Sequence, residues 1–428
     1  MPPENTTRRS GTGTAVAGMT MVTLGAMTAN IASYLLHLPA GRWLGPAGYG
    51  EFASLLAAQL VLAVPALALQ TVIAREAVHG AGTAVLRRLG HRCALIAVIA
   101  AVALVPVVSW ALDTSIAGAF GALVTAPLLV LLATEQGLLQ GRARFAALSV
   151  VLAAAGIAKV VPAVAVLAAG GGPGAALLAG AAGTGVVAVA AALFVGRSEP
   201  EHPGEPEHPG DAEAAPRIPG AAAVMRASQV QLALIALTSL DLMLARMLLD
   251  ADSAGLYALG AVATKVAFWL PQAVGVVLYP RMANPAESAS AVRSALAVLV
   301  GLGTALVAAA AICAPVVPLL VGDAYEPVQS LLWLFALQGA CLAVLQGALL
   351  SAIAGDRTSL AGVAWVGLAV EAVLMSTVAS TMKQFIAVAV GVAALTAAVV
   401  SVLAVRGASA ATKTTRLEHT NAAPRREA

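Results

Sequence analysis

Apolar runs of about twenty residues recur along this chain, each closed by a short polar or Gly/Pro-rich break. A helix rises 1.5 Å per residue, so roughly twenty apolar residues cross the hydrocarbon core of a bilayer. On that rule the pattern predicts about twelve spans, at 14–38, 52–73, 92–112, 116–138, 145–168, 174–196, 228–249, 255–279, 294–320, 328–352, 360–381 and 384–405. The breaks carry turn chemistry, as in Gly170-Gly171-Gly172-Pro173-Gly174 and Asp323-Ala324-Tyr325-Glu326-Pro327. Prolines inside the runs (Pro65, Pro106, Pro127, Pro162, Pro271 and Pro315) predict kinks, which a bundle tolerates where neighbours satisfy the freed carbonyls. The expected fold class is an all-α polytopic membrane protein.

One polar stretch interrupts the rhythm near the middle. Residues 197–227 are rich in Pro and Glu, with EHPG at Glu201–Gly204 and again at Glu207–Gly210. Such a composition cannot bury a core, so the stretch reads as a disordered cytoplasmic linker and not as a metal site at His202 and His208. It divides the chain into a tail (1–13), an N-lobe (14–196), the linker, a C-lobe (228–405) and a basic tail (406–428) near anionic lipid heads. A weak internal repeat supports two halves. Arg42 matches Arg246, Gly50 matches Gly255, Phe52 matches Tyr257 and, with a short gap, Pro65 matches Pro271. Six spans per half is an even number, so both halves enter from the same side. The expected architecture is two six-helix lobes related by a parallel pseudo-twofold along the membrane normal, with a cavity between them.

Composition agrees. Of 428 residues, 60% are hydrophobic and 11% charged, against about 25% charged in soluble domains. Aromatics are scarce and small residues dominate, which lets helices approach closely. The net charge of +3 carries little information beside its placement. With the N-terminus inside, nearly all Lys and Arg fall in cytoplasmic segments. Only Arg42 and Lys383 lie outside, and Lys159, Arg246 and Lys265 lie within spans. The positive-inside rule then puts both termini in the cytoplasm of a multi-pass cell-membrane protein. The first apolar run is long and lacks an A-x-A site, so it reads as a retained span. The motif after Arg8-Arg9 is wrong for a twin-arginine signal. Cys93, Cys313 and Cys341 sit in apolar runs without CxxC spacing and read as small hydrophobes, not as metal ligands or a disulfide.

Candidate chemistry concentrates between Thr238 and Met282, two apolar helices joined by an acidic turn at Asp250 and Asp252. Asp241 lies roughly nine residues before the turn and Lys265 roughly eleven into the next helix, so they share a depth. A charge at the bilayer centre costs about 2.5–3.5 kcal/mol and normally faces a bundle interior or a wet cavity. Arg246, five residues after Asp241, is about 140° around the helix from it, so Lys265 is the better partner. Lys159, Arg246 and Lys265 are candidates to bind an anionic head group in a central cavity. Asp241, Glu371 and Glu135 are candidates for ion coupling or for pairing with those bases. Glu135, close to Gln136 and Arg142 at the inner end of span four, reads as a surface pair. Arg42 and Trp43 read as an interfacial anchor of span one. The outer segments are short and gather no catalytic group, and no P-loop is present, so neither a membrane glycan polymerase or ligase nor an ATPase is favoured. No metal, cofactor or nucleic-acid partner is expected.

Two stretches resemble a known family. Arg42-Trp43-Leu44-Gly45-Pro46-Ala47-Gly48-Tyr49-Gly50-Glu51-Phe52 is similar to the R-x-LG-x-x-x-YG-x-F segment of oligosaccharide flippases, the polysaccharide transporters of the multidrug/oligosaccharidyl-lipid/polysaccharide exporter superfamily. Asp241 through Arg246, Ala254-Gly255-Leu256-Tyr257 and Tyr279-Pro280-Arg281 resemble the second-half motif of the same proteins. The resemblance implies a V-shaped pair of lobes that moves isoprenoid-pyrophosphate-linked oligosaccharide from the cytoplasmic to the outer leaflet. It also implies a monomer working beside glycosyltransferase or glycan polymerase machinery. Twelve spans, not fourteen, disfavour the peptidoglycan precursor as cargo. Span one offers Asn30 and His37 but no carboxylate, which disfavours the alternative, a cation-coupled multidrug antiporter.

Overall fold

The computed structural model describes residues 7–197, 229–269, 288–354 and 360–422. The expected linker beyond Arg197 and the kink at Pro271 lie outside these residues. Among the described residues the chain is helical throughout its length apart from short turns, with no strand. It divides into two compact units. The first comprises residues up to 44 and 55–229; the second comprises residues 45–54 and 230–428.

The first unit is built from α1 (Thr7–Leu35), most of α2 (His37–Leu62), α3 (Val64–Val78), α4 (Thr83–Ala111), α5 (Ile116–Leu123), α6 (Thr125–Gly141), α7 (Phe145–Ala168) and α8 (Pro173–Arg197). Small residues set its packing. Gly18 lies under the Phe145 ring, Gly25 against Ser149 and Gly156 against Ala29, so α1 and α7 run in close contact. The Ser149 hydroxyl donates to the Met21 carbonyl at 2.6 Å across that seam. Gly137 and Gly141 of α6 sit on Gln70 and Ala74 of α3, and Gly180 and Gly183 of α8 on Lys159 and Ala158 of α7. Without a hydrophobic drive between helices in lipid, such backbone approach supplies the association energy. α4 leaves Leu95, Ile99, Val102 and Trp110 exposed as one apolar stripe.

The second unit holds α9 (Gln229–Leu237), α10 (Leu240–Leu248), α11 (Ala251–Trp269) and α12 (Ser288–Cys313). After a 3-10 turn at Ala314–Val316 come α13 (Val317–Val321) and a 3-10 segment at Asp323–Leu331. The unit closes with α14 (Leu332–Ala354), α15 (Ala361–Thr377) and α16 (Met382–Ala422). Gly303 against Ala340, Gly339 against Thr264 and Gly367 against Thr396 are its close seams.

Eight helical stretches among the described residues are long and apolar enough to cross a membrane. One of them, Thr20–Val78, is 59 residues and covers α1 to α3. Among the described residues, each of the twelve expected spans falls mainly on helix; 270–279 of the eighth lie outside them. The boundaries differ where prolines and hydroxyls act. The span expected at 52–73 is cut at Ala63, just before Pro65, and the fourth at Val124, before Pro127. Pro106 and Pro162 instead lie inside unbroken α4 and α7. Residues 39–51, the expected outer segment between the first two spans, are helical around one break at Gly45 (φ 66°, ψ 178°). That conformation is open to glycine and strained for any other residue. Beyond the break, residues 45–54 pack within the second unit. A Cβ on Gly255 would strike the Pro46 carbonyl oxygen, and one on Gly50 would come within 3.0 Å of the Gly255 Cα. α16 continues to Ala422, through residues whose polarity reads as a tail.

Candidate functional site

The seventh span is two nine-residue helices, α9 and α10, separated at Thr238 and Ser239. Hydroxyl residues offer the backbone local alternatives to the helix ladder. Here the Thr238 hydroxyl donates to the Ile235 carbonyl at 3.0 Å, and the Ser239 amide bonds back to the Ala236 carbonyl at 3.1 Å. The break places Asp241 in the first turn of α10, where a carboxylate meets free amides and the positive end of the helix dipole. Its Oδ1 accepts from the Leu242 amide at 2.8 Å. The sequence alone predicts one continuous helix here; the chain instead breaks at Thr238–Ser239, where the Thr238 hydroxyl is bonded and the buried Ser239 Oγ has no partner among the described residues.

Oδ2 of Asp241 accepts from the Tyr257 hydroxyl at 2.8 Å and from Gln338 Nε2 at 3.1 Å. Gln338 Oε1 in turn lies 3.1 Å from the Thr264 hydroxyl, which is also 2.8 Å from the Phe335 carbonyl oxygen. Tyr257 is fully buried, its ring edge-on to Phe335 at 5.1 Å and to Phe385 at 6.0 Å. The aromatic packing holds the hydroxyl on the carboxylate, so α10, α11, α14 and α16 are pinned around one acid.

Two further ionisable groups join this cluster. Lys265 follows Thr264 on α11 and interacts electrostatically with Asp241. Glu371 of α15 is 2% exposed and interacts with both Asp241 and Tyr257. Its Oε1 is buried without a hydrogen-bond donor among the described residues. An orphaned buried oxygen costs about 1–3 kcal/mol, more for a charged group, and calls for an explanation. The structure therefore brings Asp241, Lys265 and Glu371 together from three helices. Arg246 stays on α10, more than a turn further on and half-buried.

Lys159 and Glu135 lie in the first unit. Lys159 is half-buried on α7, its backbone and stem resting on Gly180 of α8. Glu135 is not a surface pair with Arg142. It is 5% exposed and held bidentately by Arg87, with Nε to Oε1 and Nη2 to Oε2 both 2.9 Å, while Nη2 also donates to the Ala192 carbonyl at 2.9 Å. The seam of Gly90 against Thr134 draws α4 onto α6 and brings Arg87 to Glu135; Arg142 donates instead to the Thr83 hydroxyl. Glu135 thus ties α4, α6 and α8, and its charge is matched locally.

The acidic turn is a cap. Asp250 accepts the Ser253 amide at 2.9 Å and starts α11. That amide, with the Ser253 hydroxyl, holds the Asp250 carboxyl below its ordinary range. Of the uncharged members of the cluster, Gln338 and Thr264 are marked by no motif in the sequence, and Tyr257 stands out there only in the internal repeat and the family resemblance, not as a site residue. The available signal was polar side chains in otherwise apolar spans, with Tyr257 and Thr264 seven apart on one helix face.

No family model matches the sequence, and a search of curated proteins gives no match. Solved structures do match. The inward-facing structure of a multidrug resistance MATE family transporter of the MOP superfamily superposes with a TM-score of 0.67 at 13% identity, covering 93% of this chain and 99% of that one. The eukaryotic MATE transporter AtDTX14 gives 0.56 at 15%, covering 94% and 99%. A MOP superfamily transporter from Pyrococcus furiosus, described as having a binding pocket of reversed polarity, gives 0.57 at 15%, covering 92% and 96%. The fold is that of MOP superfamily transporters.

Proposed function

We propose that this protein is a membrane flippase that carries isoprenoid-pyrophosphate-linked oligosaccharide from the cytoplasmic to the outer leaflet by alternating access. The observation that carries the reading is the Asp241 cluster: a fully bonded carboxylate at a helix break in mid-span, beside a lysine and a second carboxyl with one open oxygen. Interhelical hydrogen bonds stabilise a bundle only modestly, so an aspartate, a lysine and a second carboxyl at that depth exceed what helix packing needs. In this reading Asp241 and Glu371 form the coupling centre, and the open Glu371 oxygen receives a counter-moving proton. Lys265 contacts the pyrophosphate as a point charge, with Arg246 a further cationic contact within the second unit and Lys159 a separate candidate in the first. The Gly45–Pro46–Tyr49–Gly50 segment supports the oligosaccharide class through the motif it resembles.

A cation-coupled multidrug antiporter is the second reading, favoured by the multidrug transporter among the matching structures. Span one separates the two, since it offers no carboxylate. The test is complementation of a deletion strain that has lost its surface glycan. Wild type restores glycan, whereas Lys265→Ala at equal membrane level does not. Normal glycan from a Lys265→Ala, Lys159→Ala double variant contradicts the site. Restored drug tolerance with no restored glycan selects the antiporter.

A further inference from the structure

The first unit carries a charged surface of its own, on α4. Arg88 and Arg92 are exposed one turn apart, and the exposed Leu95, Ile99 and Val102 follow them on the same helix face. At 1.5 Å per residue, Arg92 to Val102 covers about 15 Å, half of a hydrocarbon core of about 30 Å. α4 contains no aspartate or glutamate. The two glutamates at this end of the unit are already taken, Glu76 by Arg75 and Glu135 by Arg87, both at 2.9 Å. Arg88 and Arg92 have no acidic partner among the described residues. Neighbouring turns bring more positive charge to the same end. Arg142 donates to the Thr83 hydroxyl at the start of α4, and Arg144 lies 4.8 Å from the centre of the Phe194 ring of α8.

We propose that Arg88, Arg92 and the apolar stripe beside them seat one acidic glycerophospholipid of the leaflet at that end of the unit. Its phosphate lies between the two guanidiniums, and an acyl chain runs along Leu95, Ile99 and Val102. Side chains four apart on a helix stand about 5–6 Å apart at Cβ, so both arginines reach one phosphate. Arginine suits that contact because its planar fork binds phosphate bidentately. Two cations without acids select an anion, and the charge complementarity decides against a choline lipid, which brings a cation of its own to the pair. A soluble anion would satisfy the arginines and leave the stripe uncovered, whereas a lipid covers both. Such a seat needs only that α4 spans the bilayer and is independent of the cargo.

The test is native mass spectrometry of the full chain released from mixed micelles that hold equal amounts of phosphatidylglycerol and phosphatidylcholine with the same acyl chains. The expected result is a retained phosphatidylglycerol that millimolar inorganic phosphate does not displace. The double variant Arg88→Gln, Arg92→Gln is changed only at exposed positions. Its preference for phosphatidylglycerol is expected to fall by about tenfold or more. Arg197→Gln, at an exposed arginine ending α8, keeps the preference, because the site is the α4 pair and not the general positive charge of that end. Equal retention of the two lipids by wild type, or displacement by inorganic phosphate, overturns the proposal without any variant having to fold. An unchanged preference in the double variant, or an equal loss in Arg197→Gln, overturns it as well.

Discussion

At the scale of single residues, the cluster shows how lipid changes the meaning of a hydrogen bond. Asp241 is 1% exposed, and every donor it has is supplied by protein: the Leu242 amide, the Tyr257 hydroxyl and Gln338. Interhelical bonds of this kind average about 0.6 kcal/mol in membranes and reach about 1.7. Tyr257→Phe keeps the ring contacts with Phe335 and Phe385 and deletes one donor. It is therefore expected to cost about that much, seen as a lower thermal midpoint in detergent, and to impair transport. An unchanged midpoint together with unchanged transport contradicts the role given to the hydroxyl. The charged members were legible in the sequence because a lysine, an aspartate or a glutamate inside an apolar run declares itself. Their partners were not. Tyr257 and Gln338 are uncharged and lie 16 and 97 residues from Asp241, so only the packing of α11 and α14 brings them to it. Glu135 misled for a similar reason: Arg142 is its neighbour in sequence, whereas Arg87, 48 residues earlier, is its neighbour in space.

At the scale of elements, the spans could be read from apolar length because the bilayer fixes how much helix is needed. The breaks could not. Thr238 and Ser239 look like ordinary members of an apolar run, yet the helix divides there, with local hydroxyl–carbonyl and amide–carbonyl bonds at the break. Residues 39–51 depart in the opposite direction: the expected outer segment between two spans is helix with a single break at Gly45. The turn between α10 and α11 offers a clean test. Replacing an N-cap Asp by Ala costs about 1 kcal/mol, so Asp250→Ala is expected to lower the thermal midpoint at neutral pH. The Ser253 amide and hydroxyl depress the Asp250 carboxyl, so the charged cap is present above the ordinary carboxylate range. Its contribution is lost as pH falls through the depressed value in the folded protein. The difference between wild type and Asp250→Ala should shrink on strong acidification. A difference that stays constant with pH contradicts the cap.

At the scale of the whole molecule, two compact helical units are joined to a fold shared with MOP superfamily transporters, and the polar interior chemistry is distributed unevenly between them. The first unit matches Glu135 with Arg87 locally. The second unit keeps an open carboxyl oxygen at Glu371 next to a carboxylate that is already fully bonded. That asymmetry is the reason the second unit is assigned the coupling step. We propose that the Asp241–Glu371 pair drives transport. The most direct measurement is movement of a fluorescent lipid-linked oligosaccharide across proteoliposomes carrying the purified full chain, with and without a proton gradient. Faster movement with the gradient is expected in wild type, with loss of that gradient dependence in both Asp241→Asn and Glu371→Gln. Movement that ignores the gradient in wild type, or that keeps its full gradient dependence in both variants, would contradict it.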